Sequence, residues 1–197
     1  MTPGCRSVIE HPPSHLSPFV SARIGFMVAV FPFSSPAAFW RWVELCEAND
    51  VDSIWQTDRL VSTEPFLEPL SVMAALAGGT ERLKFGMNVA VLGLREPLVL
   101  AKQCATIDFL SGGRLLPAFG VGAEIAPEWR ATGFAPEGRG VRADEALSIM
   151  TQLWAGEAVT FEGKHYHYLN ARIAPLDRKS TRLNSSHIQK SRMPSSA

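Results

Sequence analysis

The chain lacks much of what several large functional classes require. It has only three cysteines in 197 residues, Cys5, Cys46 and Cys104, widely spaced and without a CxxC pair. That excludes a disulfide framework and a cysteine zinc site, and fits a reducing compartment. No apolar run reaches the ~18 residues of a bilayer span, so no membrane partner is expected. Formal net charge is zero, so the total offers no basic footprint for nucleic acid. No Ser-His-Asp arrangement is evident, which disfavours a hydrolase, and no metal-ligand set is evident, so no residue is assigned to a metal.

The charge is unevenly spread. Residues 177–197 hold five basic residues against one acid, a net of +4, which leaves 14 basic against 18 acidic, a net of −4, in residues 1–176. The same 21-residue stretch has six Ser and no aromatic residue. Read plainly it is a disordered basic tail. More sharply, Asp177 to His187 (DRKSTRLNSSH) is the string a standard short-read sequencing adapter encodes in one frame, and Ser191 to Ala197 resembles that adapter's downstream part. The tail is therefore expected to be foreign, and a nucleic-acid-binding role that rests on it carries no weight. At the other end, Met1 to Ala22 carries Arg6 and a Val20-Ser21-Ala22 triplet, loosely like a secretory leader. Pro12, Pro13 and Pro18 break it and no continuous apolar segment is present. Export is rejected and a cytoplasmic location expected, with residues 1–22 a disordered leader or the product of an upstream start.

Between these ends the pattern is regular. Ile24 to Phe31 is a continuous apolar run, as in a strand buried on both faces. Ser35-Pro36 follows as N-cap and first helical position, and Phe39, Trp42, Val43 and Cys46 mark one helix face. A short strand over 53–57 leads into Asp58-Arg59. Pro69 opens a second helix that Gly78-Gly79 closes. A third strand is predicted from Leu83 to about Leu92, and a third helix from Glu96-Pro97 to Gly112-Gly113. A fourth strand is predicted over 114–121, a fourth helix over 142–154, and a small β excursion over 157–173. The triplet Glu-Pro-Leu heads two successive helices, at 68–70 and 96–98. Alternating β and α units imply an α/β fold with a parallel sheet. The pattern alone leaves a closed barrel and a doubly wound open sheet equally open.

Several segments together carry a family resemblance. They are Trp55 to Asp58, the stretch Thr80 to Gly86 (TERLKFG), Ala101 to Leu115 (AKQCATIDFLSGGRL), Gly120 to Ala123, and Arg142 to Leu147. Over 23–176 the chain resembles the luciferase-like monooxygenases, and within them the deazaflavin-dependent branch. The resemblance implies a (βα)8 TIM-type barrel of which residues 23–176 supply four βα units, ahead of a fifth strand expected near Leu176. It further implies an oxidoreductase using a reduced deazaflavin (coenzyme F-420, first choice) or reduced FMN on a small-molecule substrate, with the intact parent a homodimer. The alternative is a non-catalytic flavin-binding or structural relative. In such an enzyme the cofactor carries the chemistry, so the missing nucleophile is no objection. Barrel phosphate sites lie after strands seven and eight, so this chain by itself is expected to hold cofactor weakly and to be inactive and prone to associate.

The same resemblance nominates the site. Asp58, after strand two, is implied to contact the cofactor or tune proton delivery. Its neighbour is Arg59 where many deazaflavin members have His, which argues against a His-based proton transfer. Met87, Asn88 and Val89 match a strand-three bulge, where a non-proline cis peptide at Asn88-Val89 is implied to back the flavin ring. Gly120 and Gly122 close strand four and are implied to let the backbone approach the cofactor; alone, this GxG lacks the third glycine of a dinucleotide fingerprint. Glu124 stands where many relatives have an aromatic. His165 and His167 form an HxH without further ligands and are expected on a surface strand. Trp40-Arg41-Trp42 is expected to pack on helix one.

Overall fold

The computed structural model describes residues 23–176; the expectations for 1–22 and 177–197 fall outside them. Four parallel βα units are present. Strands β1 (Gly25–Val28), β2 (Ser53–Gln56), β3 (Lys84–Met87) and β5 (Leu115–Leu116) form one sheet in the order β1-β2-β3-β5. Helices α1 (Pro36–Ala48), α2 (Pro69–Gly79) and α3 (Pro97–Ser111) connect them. Strands β4 (Ala90–Val91) and β6 (Phe119–Gly120) pair as a second parallel ladder. A 3-10 turn over Leu92–Leu94 links β4 to α3. After β6 come α4 (Pro127–Thr132), α5 (Arg139–Trp154) and an antiparallel hairpin of β7 (Val159–Glu162) and β8 (His167–Ala171).

The third and fourth sequence strands are thus each broken once. Gly86 pairs with Leu116 and pairing resumes at Ala90 with Phe119. One side advances four residues while the other advances three, so the Asn88-Val89 side carries one extra residue, a parallel-strand bulge. Opposite it stands Pro117, which has no N–H to give a ladder.

The two Glu-Pro-Leu triplets are one capping device used twice. Glu68 accepts the N–H groups of Leu70 (3.2 Å) and Ser71 (2.7 Å), and Glu96 accepts that of Val99 (2.6 Å), with proline at the first helical position each time. Helix C-termini are tied by arginines from the following unit. Arg82 donates to the carbonyls of Cys46, Glu47 and Val51. Arg114 donates to those of Ala77, Thr80, Leu83 and Ser111, and its guanidinium lies over the Phe85 ring. The Ser-Gly-Gly-Arg part of the family-like segment is thus framework: Gly112 takes the left-handed C-cap (φ 64°) and Arg114 clamps two units together.

The core lies between sheet and helices, with Phe85, Met87, Leu76, Leu100, Cys104 and Ile149 buried. Burial pushes the Cys104 thiol up to about 12, against the pull of Arg95, so it is an inert core residue. Trp40 covers Gly79, where a Cβ would lie 2.6 Å from its ring, and Trp42 packs beside Phe33 and Phe39. Both indoles belong to helix packing, as expected.

Three expectations are corrected. The Ile24–Phe31 run is not buried on both faces: Ile24 is 62% and Met27 56% exposed, because β1 is an edge strand with β2 its one ladder partner among the described residues. The loop after strand four contains α4, and α5 begins three residues early, at Arg139. His165 sits in the hairpin turn beside Gly138 and His167 on β8 against Glu162, so the two do not share a strand. No group of three or more metal-ligating side chains occurs among the described residues, and no helix there is long and apolar enough to cross a membrane.

Candidate functional site

At the carboxyl ends of the strands, where parallel α/β sheets place their ligands, lies a cavity of about 280 Å³. Thr57, Asp58 and Arg59 reach it from the end of β2, Asn88 and Val89 from the bulge, and Val91 from β4. Gly122 and Ala123 come from the loop after β6, and Glu128 and Trp129 from α4. The sheet brings these segments together because each follows the end of a parallel strand.

Of the sequence-nominated residues, Asp58, Asn88, Val89 and Gly122 stand in the wall. Met87 and Gly120 do not: Met87 points into the core with no exposed surface, and Gly120 is buried in the β4–β6 ladder. The Asn88–Val89 peptide is cis. Both glycines are closely packed on the side where a side chain would lie. A Cβ on Gly120 would lie 2.5 Å from Val89 Cγ2. One on Gly122 would lie 2.8 Å from Val91 Cγ1 and 3.1 Å from Trp129 Cζ2, and its φ of +80° favours glycine in any case.

Asp58 is the most committed group of the site. Its side chain is 2% exposed and that of Arg95 11%. Oδ2 accepts from Arg95 Nη1 (2.6 Å) and from the Val91 N–H (2.9 Å), and Oδ1 accepts from Arg95 Nη2 (2.9 Å). A carboxylate has about four acceptor positions, and three are taken. Asp58 therefore pins β4 to the end of β2. Burial works against the charge on Arg95, but Asp58 and Glu68 outweigh it and hold its pKa above the ordinary arginine value. Glu68 joins at 3.4 Å, so one guanidinium ties the pocket wall to the N-terminus of α2.

A second pair was not foreseen. Glu128, buried on α4, faces Arg59: Nη1 donates to Oε1 at 3.3 Å. The Glu128 side chain is 5% exposed and that of Arg59 45%. Oε2 of Glu128 is buried with no hydrogen-bond partner. The cue in the sequence is Pro127-Glu128-Trp129, a proline at the first helical position with an acid beside it, separated by four residues from Gly120-Val121-Gly122. Arg95 left no such cue, since an arginine before Glu-Pro reads as an ordinary helix approach. Glu124, by contrast, is paired at the surface with Arg139, at 3.0 Å.

Comparison with known proteins decides the lineage. The family model described as luciferase-like monooxygenase matches residues 15–183, most of the chain. The chain belongs to the luciferase-like monooxygenase family. Among curated relatives of this family member, an F420-dependent glucose-6-phosphate dehydrogenase from Rhodococcus jostii is 36% identical over 141 residues, covering 66% of this chain and 41% of that enzyme. A Mycobacterium tuberculosis protein without an assigned activity is 34% identical over 113 residues, 57% of this chain and 38% of that one. Among solved structures, a monooxygenase from Streptomyces bottropensis superposes with a TM-score of 0.68 at 23% identity, over 78% of this chain and half of that one. The coenzyme F420-dependent tetrahydromethanopterin reductase of Methanopyrus kandleri gives 0.64 at 22%, over 81% and 48%. The family member thus has the α/β architecture of these TIM-barrel proteins and spans about half their length, and 41% or less of the two curated relatives.

Proposed function

We propose that this chain carries the pocket half of a deazaflavin-dependent or, as second choice, FMN-dependent oxidoreductase that reduces or oxygenates a small organic substrate. The observation that carries the reading is the cavity at the strand ends. One side is apolar, built from Val89, Val91, Leu94 and Trp129, with Thr57 and Asn88 as polar neighbours. A tricyclic ring needs this kind of surface, a largely apolar wall with a few polar groups to orient it. The cavity volume is at the lower edge for whole ligands, so the donor set fits the ring of such a cofactor rather than its phosphate-bearing tail. Five relatives named F420-dependent glucose-6-phosphate dehydrogenases, 28 to 37% identical to this chain, favour the deazaflavin.

When bound, the cofactor supplies the hydride or, for FMN, the oxygen activation. The chain's own residues bind and orient. Val89 and Val91 present the apolar wall, and the Asp58–Arg95 pair keeps that wall fixed to β2. Trp129, 3% exposed and donating to the Ala123 carbonyl at 2.8 Å, helps to exclude water.

Titration of the purified chain with coenzyme F420 and with FMN, followed by cofactor fluorescence, tests this. Saturable binding weaker than micromolar is expected, tighter for the deazaflavin, with each competing against the other and both lost in Gly122→Val. Absence of saturable binding by either cofactor up to millimolar concentration would refute the reading.

A further inference from the structure

The charges around the cavity are very unequally exposed. The Asp58 side chain is 2% exposed and taken up by Arg95, whose side chain is 11% exposed, and that of Glu128 is 5% exposed. Arg59 is 45% exposed. With Glu68, which reaches Arg95 at 3.4 Å, three acids face two arginines, yet among the charged residues that line the cavity the exposed one is Arg59. Of its five N–H donors, one is engaged, with Glu128 at 3.3 Å.

That contact is more a tether than a sink. Glu128 is desolvated and its second oxygen has no partner, so withdrawing Arg59 would leave an uncompensated buried carboxylate, which is strongly unfavourable. Glu128 thus holds the guanidinium beside the cavity while most of its donors stay free. A guanidinium stays protonated near neutrality and cannot exchange a proton there. Its planar fork instead matches carboxylate and phosphate oxygens in a bidentate way.

The geometry points to Arg59 as the anchor for an anionic organic substrate, one bearing a carboxylate, sulfonate or phosphate, with Glu128 as the positioning residue that keeps the anchor in place. The inference rests on the proposed reading only in taking this cavity to be where substrate meets cofactor. It adds the substrate's charge, and it assigns the position after Asp58 to binding.

The test compares two probes of one shape, cyclohexanecarboxylate and cyclohexylmethanol, titrated calorimetrically into the full chain. The carboxylate should bind at least tenfold more tightly at low salt, with the ratio shrinking as salt rises. Arg59→Met should bring the ratio to within twofold of unity while the alcohol's affinity stays within twofold. Because Arg59→Met strands Glu128, the double variant Arg59→Met/Glu128→Gln, which removes both charges, should lose the preference in the same way. Equal affinity of the two probes for the wild type, or a preference that survives in either variant, would overturn the inference. A parallel titration with coenzyme F420 and FMN separates the two readings. Cofactor binding without a carboxylate preference sinks the anchor alone, whereas an Arg59-dependent preference without cofactor binding upholds the anchor and sinks the flavin reading.

Discussion

Replacing Arg95 with Met removes two of the three hydrogen bonds that Asp58 accepts and the charge that balances it. What is left is a carboxylate 2% exposed with one N–H partner, Val91. Breaking a buried ion pair by deleting one partner typically destabilises by about 3–5 kcal/mol, because the remaining charge is uncompensated. For a domain of this size each kcal/mol moves Tm by roughly 2–4 °C, so Arg95→Met should lower Tm by roughly 6–20 °C. Asp58→Asn should do less damage, since Arg95 keeps Glu68 at 3.4 Å and the amide still accepts from Val91. The double variant Asp58→Asn/Arg95→Met removes both charges. It should recover about 0.5–3 kcal/mol relative to the sum of the singles, the range seen for contacting residues. Urea unfolding followed by tryptophan fluorescence and by circular dichroism measures all four corners of the cycle, and an unchanged m-value keeps the comparison valid. If Arg95→Met lost under ~1 kcal/mol and the double variant were simply additive, the account of Asp58 as a structural anchor would be wrong.

Two glycines separate packing from propensity: a Cβ on Gly86 would run into the Leu116 carbonyl oxygen and lie 2.7 Å from the Trp55 ring, whereas one on Gly78 in α2 meets nothing within 4 Å. Gly86→Ala should destabilise by about 1–3 kcal/mol or more and Gly78→Ala should stabilise by roughly 0.4–1 kcal/mol, read as urea midpoints. Burial works to raise the Glu145 carboxyl, but the N–H groups of His165, Lys164 and Tyr166 outweigh it and hold it below the usual range. Asp52 is lowered mainly by its hydrogen bond from Lys84, and Glu68 is lowered by Ser71 and Leu70 against burial. Folded values below unfolded ones mean that this stabilisation is complete above the ordinary carboxylate pKa of about 4 and is lost as pH falls through the folded values. Unfolding midpoints should therefore drop from neutrality toward pH 3, and Glu145→Gln should flatten that slope; an unchanged slope would rule Glu145 out. Cys104 in the native chain should resist iodoacetamide, since its thiol is buried and pushed up to about 12; mass spectrometry finding it alkylated before unfolding would contradict that burial.

What could be read in the sequence was what is local. The Glu-Pro-Leu triplets, the Ser35-Pro36 start and the Gly112-Gly113 stop each encode a cap within a few residues of themselves, and each element begins or ends where that chemistry says. The bulge was harder, because an apolar run does not reveal that one strand holds a residue more than its neighbour. The resemblance placed it at Asn88-Val89, whereas hydropathy alone ran the strand straight through to Leu92. Strand β1 misled for a related reason: apolar residues state that a surface wants cover, and the described sheet leaves that edge with one partner. The site's charge pairs lay furthest from view. Arg95 meets Asp58 across 37 residues and Arg59 meets Glu128 across 69, separations that no helical or strand period links. Such pairs are set by which strand ends lie side by side, which is a property of the sheet order. The sequence nominated Asp58 as a residue that contacts the cofactor or tunes proton delivery; the sheet order places it in the pocket wall and supplies Arg95 beside it. The guanidinium that neutralises this carboxylate comes from the next βα unit, so no local pattern around Asp58 announces it.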